Sequence, residues 1–198
     1  MKDKYITLSL SDYFNSKLIL NKKDVKKSSE FLTNIGARSQ PWHLFDSESL
    51  PQSLEIVNVL GIPFLFPDKA FDNYDSISCE GQRLDLDDHR YKAIHIMATA
   101  FDGVYCYEKL KVWRVEDSHI ELDIYFKEWY FLAANTNWEA EDNNMPECHV
   151  AIKGTHLFDY STRCIYYNKC ILGSAHLKAL ELPCNPDLYI IAITMELE

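Results

Sequence analysis

The stretch Ile120-Glu-Leu-Asp-Ile-Tyr-Phe126 decides the fold of this chain, because its apolar and polar residues alternate strictly. The apolar side chains occupy every second position and the polar side chains and the tyrosine occupy the positions between them. A period of two residues is what a half-buried antiparallel strand requires. The segment therefore predicts a strand with one face on a core and one face toward water.

Similar segments recur through the chain at intervals of about ten residues, separated by turn-forming residues, which is the spacing of an all-β sandwich. The predicted strands cover residues 5–10, 62–66, 76–79, 82–86, 91–100, 104–115, 120–127, 164–172, 177–182 and 188–197. Residues 91–100 are apolar on both faces, which predicts a central, buried strand. Residues 24–36 carry the one helical pattern, with Gly36 as its stop. We predict an all-β antiparallel sandwich of the jelly-roll type with at most one or two short helices.

Length and charge set the broad class of the protein. The 198 residues fit one domain, with an N-terminal strand and variable arm over 1–45 and a core over 45–198. The net charge of −10 repels a phosphate backbone, so nucleic-acid binding is not expected. No apolar run approaches the ~18 residues of a membrane span, and charges near the start argue against a signal peptide. Six irregularly spaced cysteines without a C-x-x-C pair fit reduced thiols, so we expect a cytoplasmic protein.

Several short motifs resemble a known family. They are Gly61-Ile-Pro-Phe64, Asp72-Asn73, Cys79-Glu-Gly-Gln82, Tyr91-Lys-Ala-Ile-His95 and the ending Leu182-Pro-Cys-Asn-Pro-Asp-Leu-Tyr-Ile-Ile-Ala-Ile-Thr194. Together they resemble the galactose-binding-like β-sandwich modules of bacterial and fungal carbohydrate-active proteins, over approximately residues 45–198. The resemblance implies a β-sandwich that binds a saccharide without catalysing a reaction.

Aromatic residues form 13% of the chain, and aromatic rings stack on the C–H face of a pyranose. The segment that contains Trp129, Tyr130 and Trp138 follows a strand end, and we predict these three residues as the sugar platform. Arg114, next to Trp113 in a predicted strand, or a carboxylate of the loop is predicted to hydrogen-bond the sugar hydroxyls. The structural alternative is that Trp129 and Trp138 cover the end of the core.

Titratable residues give no metal or cofactor signature. Residues 139–147 carry oxygen ligands of the kind that calcium favours, but the D-x-D-x-D-G pattern is missing, so we predict a solvated acidic loop and no metal or cofactor. The seven histidines are dispersed, and His95, inside a predicted strand, is interpreted as a hydrogen-bonded core residue. Asp72, Asn73 and Asp75 are interpreted as turn residues.

Three functions remain open from the sequence. The leading hypothesis is a non-catalytic, lectin-like protein whose ligand is a saccharide. The second is an enzyme that acts on saccharides through carboxylates in residues 128–149 or near Asp85–Asp88. The third is a protein–protein interaction module that forms a homo-oligomer through an apolar sheet face.

Overall fold

The fold is described from a computed structural model of the chain. The structure describes residues 4–25, 43–101, 105–129 and 148–198. The helical pattern at 24–36 and the acidic loop at 139–147 therefore lie largely or entirely outside the described residues. Within the described ranges, the structure contains no helix with the length and apolarity that a membrane span needs.

Twelve strands and two short 3₁₀ turns make up the secondary structure of the described residues. The strands are β1 (Tyr5–Thr7), β2 (Ile19–Leu20), β3 (Phe45–Asp46), β4 (Ile56–Val59), β5 (Ile62–Leu65), β6 (Ile77–Glu80), β7 (Arg83–Ala100), β8 (Tyr105–Arg114), β9 (His119–Lys127), β10 (Cys148–Thr155), β11 (Thr162–Glu181) and β12 (Cys184–Leu197). The 3₁₀ turns are Lys22–Asp24 and Ser47–Ser49. The prediction of an all-β fold is confirmed.

Eight strands form one large antiparallel sheet in the order β1-β12-β7-β11-β8-β9, with β6 also beside β12 and β10 also beside β11. The strand β7 lies at its centre, between β12 and β11. The strand β11 changes its outer neighbour along its length. Residues 162–168 pair with β10, and residues 177–181 pair with β8. The β8–β9 hairpin therefore joins the sheet at one end of β11.

Both faces of the central strands are buried. One face of β7 carries Ile94, Ile96 and Ala98, which lie in one apolar cluster with Leu110 of β8 and Phe126 of β9. The other face belongs to a second cluster, in which Met97 and Ile191 pack with residues of β2, β3, β4 and β5. Two apolar layers against one sheet explain why residues 91–100 are apolar on both faces.

The small strands form two separate pairs. The strands β2 and β3 pair in parallel, and β4 and β5 form an antiparallel hairpin. The hairpin closes with Leu60 at φ 51° and Gly61 at φ 84°. Two successive positive φ angles make a tight turn whose twist matches that of the flanking strands, and glycine adopts such an angle without strain.

Two pairs of predicted strands are single long strands in the structure. The predicted strands 82–86 and 91–100 fall on β7, except for residue 82, and those at 164–172 and 177–182 fall on β11, except for residue 182. The register of β11 against β7 shifts between Ile171 and Ala175, where Gly173 has φ 81°. This irregularity bends β11 without ending it, because a bulge keeps the pairing on both sides.

His95 is a buried, hydrogen-bonded histidine, as predicted. Its Nδ1 lies 2.8 Å from the hydroxyl of Tyr167, and its Nε2 lies 3.3 Å from Oε2 of Glu196. Burial lowers the pKa of His95, although the Glu196 carboxylate opposes that shift. The six cysteines are free thiols.

Candidate functional site

Among the described residues lies a cleft of about 350 Å³, which we name the loop cleft. One wall is the segment after β1, residues 8–11, and the other is the segment after β5, residues 66–74. Phe14, Leu54 and Ile191 complete the lining. Two loops that are distant in sequence thus face each other across the end of the sandwich.

Short polar contacts shape the wall at residues 66–74. Oδ1 of Asp68 accepts a hydrogen bond from the backbone N–H of Ala70 at 3.1 Å, and its Oδ2 accepts one from Nδ2 of Asn73 at 2.9 Å. The Ala70 bond lowers the pKa of Asp68, because it favours the charged carboxylate. Asp68 therefore stays ionised and fixes the turn that precedes Asn73.

A fully buried ion pair holds the same wall, residues 66–74, in place. Nζ of Lys17 lies 2.9 Å from Oδ2 of Asp75, and both side chains are 0% exposed. The ammonium group also donates to the carbonyl oxygens of Ala70 at 2.6 Å and Asn73 at 2.9 Å. Lys17 thus fixes the backbone of the cleft wall at two points, Ala70 and Asn73.

Asp75 is a buried residue that binds another strand through its carboxylate, and its interpretation from the sequence as a turn residue is corrected. It accepts hydrogen bonds from the backbone N–H groups of Leu18 at 2.7 Å and Ile19 at 3.2 Å. Burial raises the pKa of Asp75 to about 6, and the charge of Lys17 works against that rise. At neutral pH the pair is therefore ionised and joins β2 to the cleft wall.

The open groups of the loop cleft are Asp72 and Tyr74. The Asp72 carboxylate is exposed, the Tyr74 ring is half-buried, and neither side chain has a hydrogen-bond partner among the described residues. The half-buried ring of Phe14 lies on the same cleft. This arrangement offers a charged acceptor, a phenol and aromatic surface to a small polar molecule.

The structure places Trp129 in the core and not on a platform. Its side chain is 4% exposed, and its ring lies edge-to-face with Phe45 and Phe101 at centroid distances of 5.3 and 4.8 Å. The guanidinium of Arg163 lies 4.8 Å from the ring centroid. The indole therefore has too little exposed surface to stack on a sugar, and the packing favours the alternative that Trp129 covers the end of the core.

The other predicted platform residues are not brought to the loop cleft. Tyr130 and Trp138 lie outside the described residues, so their part in sugar binding stays a prediction. Arg114 ends β8 and lines a different cavity, together with Arg90 of β7 and His176 of β11. Among the described residues no cluster of three or more His, Cys, Asp or Glu side chains is arranged to hold a metal ion.

A known protein family matches most of the chain. Residues 10–198 match the family described as the AziU2-like beta-sandwich domain, and no curated protein matches the chain. The match covers the strands from β2 to β12 and both walls of the loop cleft apart from Leu8 and Ser9. The chain belongs to the family of AziU2-like beta-sandwich domains.

Proposed function

We propose that this protein is a non-catalytic saccharide-binding β-sandwich and that the sugar binds in the loop cleft. The resemblance of the chain to galactose-binding-like modules supports this class of ligand, and the family to which the chain belongs supports the β-sandwich. The proposal keeps the function expected from the sequence and moves its site from the segment around Trp129 to the cleft.

The observation that carries the proposal is the set of unpaired polar groups beside aromatic rings in a cavity of ligand size. The volume of about 350 Å³ lies at the lower end of the range of small-molecule pockets. Asp72 accepts hydrogen bonds from hydroxyl groups, while Tyr74 and Phe14 present ring surface to C–H groups.

Binding is favoured over hydrolysis by the state of the carboxylates. A glycosidase needs a general acid whose pKa is raised, at a suitable distance from a second carboxylate. The pKa of Asp68, which lines the cleft, is lowered. Among the described carboxyl groups a raised pKa is found at Asp75, which is fully buried against Lys17 and has no access to a ligand.

The test is a glycan array followed by calorimetric titration of the best saccharide. Asp72→Asn removes the charge of the acceptor, and Tyr74→Leu removes the aromatic face while keeping an apolar side chain. We expect Asp72→Asn to bind about tenfold or more weakly, because a hydrogen bond to a charged group contributes about 1.5–3 kcal/mol. Tyr74→Leu should also bind more weakly, because it loses the ring face that packs on C–H groups. The control is Asp85→Asn, whose side chain is 85% exposed on β7, away from the cleft.

Three results would overturn the proposal. The first is no binding of any saccharide at millimolar concentration. The second is wild-type affinity in the Asp72→Asn/Tyr74→Leu double variant with unchanged thermal unfolding. The third is loss of binding in Trp138→Ala together with full binding in Asp72→Asn, since that pair would assign the sugar to the segment predicted from the sequence.

A further inference from the structure

A second cavity lies where β7, β11 and the end of β8 meet. A space of about 280 Å³ is lined by side chains that include Arg90, Arg114, Glu116 and His176, and we name it the arginine cavity. It adjoins a wider groove of about 610 Å³ that shares Arg90 and His176. Ile191 lines the loop cleft and Leu197 lines this groove, so the two sites are six residues apart on β12, or about 20 Å.

Strand pairing brings the basic side chains of this cavity together. Arg90 of β7 lies directly opposite His176 of β11. Arg114 of β8 is paired with Leu177, the next residue of β11. Neighbouring strands are about 4.8 Å apart, and residues of these three adjacent strands line the one cavity.

Arg114 has donors that the protein does not use. Its Nε is buried and has no hydrogen-bond partner among the described residues. Its nearest anion is Glu116, whose Oε1 lies 3.8 Å from the guanidinium, too far for a hydrogen bond. A buried N–H group without a partner is costly, and a guanidinium presents its donors in a fork that fits an oxyanion.

Arg90 and His176 are already oriented on the same space. Nε of Arg90 lies 2.7 Å from Oε2 of Glu198, and its Nη2 donates to Oγ of Ser174 at 2.9 Å. Nε2 of His176 contacts Oδ1 of Asp88. These contacts hold both side chains in position. Nδ1 of His176 has no hydrogen-bond partner among the described residues.

Three carboxylates lie near these cations, but each of them is strongly exposed to water. The side chains of Asp88, Glu116 and Glu198 are 82%, 61% and 55% exposed. Exposed ion pairs contribute little because water and salt screen them. An incoming oxyanion can therefore displace Glu116 from Arg114 at small cost and form the hydrogen bonds that Glu116 does not form.

We propose that the arginine cavity binds the oxyanion of a small molecule, a carboxylate or a phosphate group, with Arg114 as its principal donor. Arg90 and Ser174 border the same space, and His176 lies beside them. The site rests on residues that the loop cleft does not share, so it stands or falls independently of the proposed saccharide site.

The experiment titrates the whole protein with inorganic phosphate and, separately, with acetate, at constant ionic strength against chloride. Phosphate and acetate distinguish the two sources of the oxyanion. Arg114→Gln is expected to weaken binding of the preferred anion about tenfold. The matched control is Arg83→Gln, because Arg83 lies over the Trp113 ring outside the cavity and its loss should leave binding unchanged.

Glu116→Gln gives a second test that leaves the Arg114 side chain unchanged. Removing the competing carboxylate from this exposed position is expected to tighten binding about threefold, in keeping with the value of an exposed ion pair. Asp72→Asn should leave anion binding unchanged, which separates this site from the loop cleft. The absence of saturable binding of either anion, equal binding by Arg114→Gln, or no tightening in Glu116→Gln would overturn the proposal.

Discussion

Replacing Lys17 by Met removes the cation from a completely buried ion pair and keeps a long, flexible side chain in its place. The variant loses the contact with Asp75 at 2.9 Å and the hydrogen bonds to the carbonyl oxygens of Ala70 and Asn73. Asp75 keeps two backbone donors but becomes a buried charge without a cation. Breaking a buried pair in this way costs about 3–5 kcal/mol of unfolding free energy.

The assay is equilibrium unfolding in urea, with thermal unfolding as a second measurement. For a chain of this length each kcal/mol corresponds to about 2–4 °C, so the midpoint should fall by roughly 6–20 °C. The matched control is Lys109→Met, which breaks an ion pair with Asp123 whose side chains are 47% and 43% exposed. That variant should unfold close to the wild type, because water screens an exposed pair.

The pH dependence of the stability loss in Lys17→Met gives a more specific test. Without Lys17 the pKa of Asp75 should rise further above its value of about 6, because the nearby positive charge had lowered it. Below that pKa the buried carboxyl is neutral and the missing cation matters less. The loss of stability should therefore be larger at pH 8 than at pH 5. A loss equal to that of Lys109→Met, or a loss that does not change between these pH values, would refute the reasoning.

Two further substitutions test the packing. Trp129→Ala should lower the free energy of unfolding in urea by about 3–5 kcal/mol, because the indole is 4% exposed. A loss below about 1 kcal/mol would mean that Trp129 is not part of the core. Gly154→Ala would place a Cβ atom 2.8 Å from Cδ2 of Leu50 and 3.0 Å from Cδ1 of Phe45, so we expect a loss of about 1–3 kcal/mol. If Gly154→Ala unfolds at the same urea concentration as the wild type, the side chains of Leu50 and Phe45 move aside without cost.

The fold was largely predictable because the alternation of apolar and polar residues along one strand shows which of its faces is buried. Residues 120–127 and 91–100 were identified as strands, and the structure has them in β9 and in the buried half of β7. The length of β7 was not predictable in this way. The charged run from Asp87 to Arg90 interrupts the apolar pattern between two predicted strands, yet it continues the strand with its side chains exposed. His89 and Arg90 pair with Leu177 and His176 of β11.

The candidate site was much less predictable than the fold, because it depends on residues that meet across the sequence. Lys17 and Asp75 are 58 positions apart, and nothing near either residue indicates its partner. An aromatic residue after a strand fits a binding surface and a core equally well, so Trp129 could be assigned only from its packing. Arg114 was identified as a functional candidate, but its neighbours Arg90 and His176 come from other strands and emerge only from the register of the sheet.

The position of β7 has a consequence for biosynthesis. This strand is complete at Ala100, whereas its two lateral neighbours come from Thr162–Glu181 and Cys184–Leu197. A ribosome must add 61 residues after Ala100 before the first residue of either neighbour exists, so β7 leaves the exit tunnel with both of its hydrogen-bonding edges unpaired. We therefore expect chains that stop before Thr162 to be prone to aggregation, and pairing of the central strand waits for translation of roughly the final fifth of the chain.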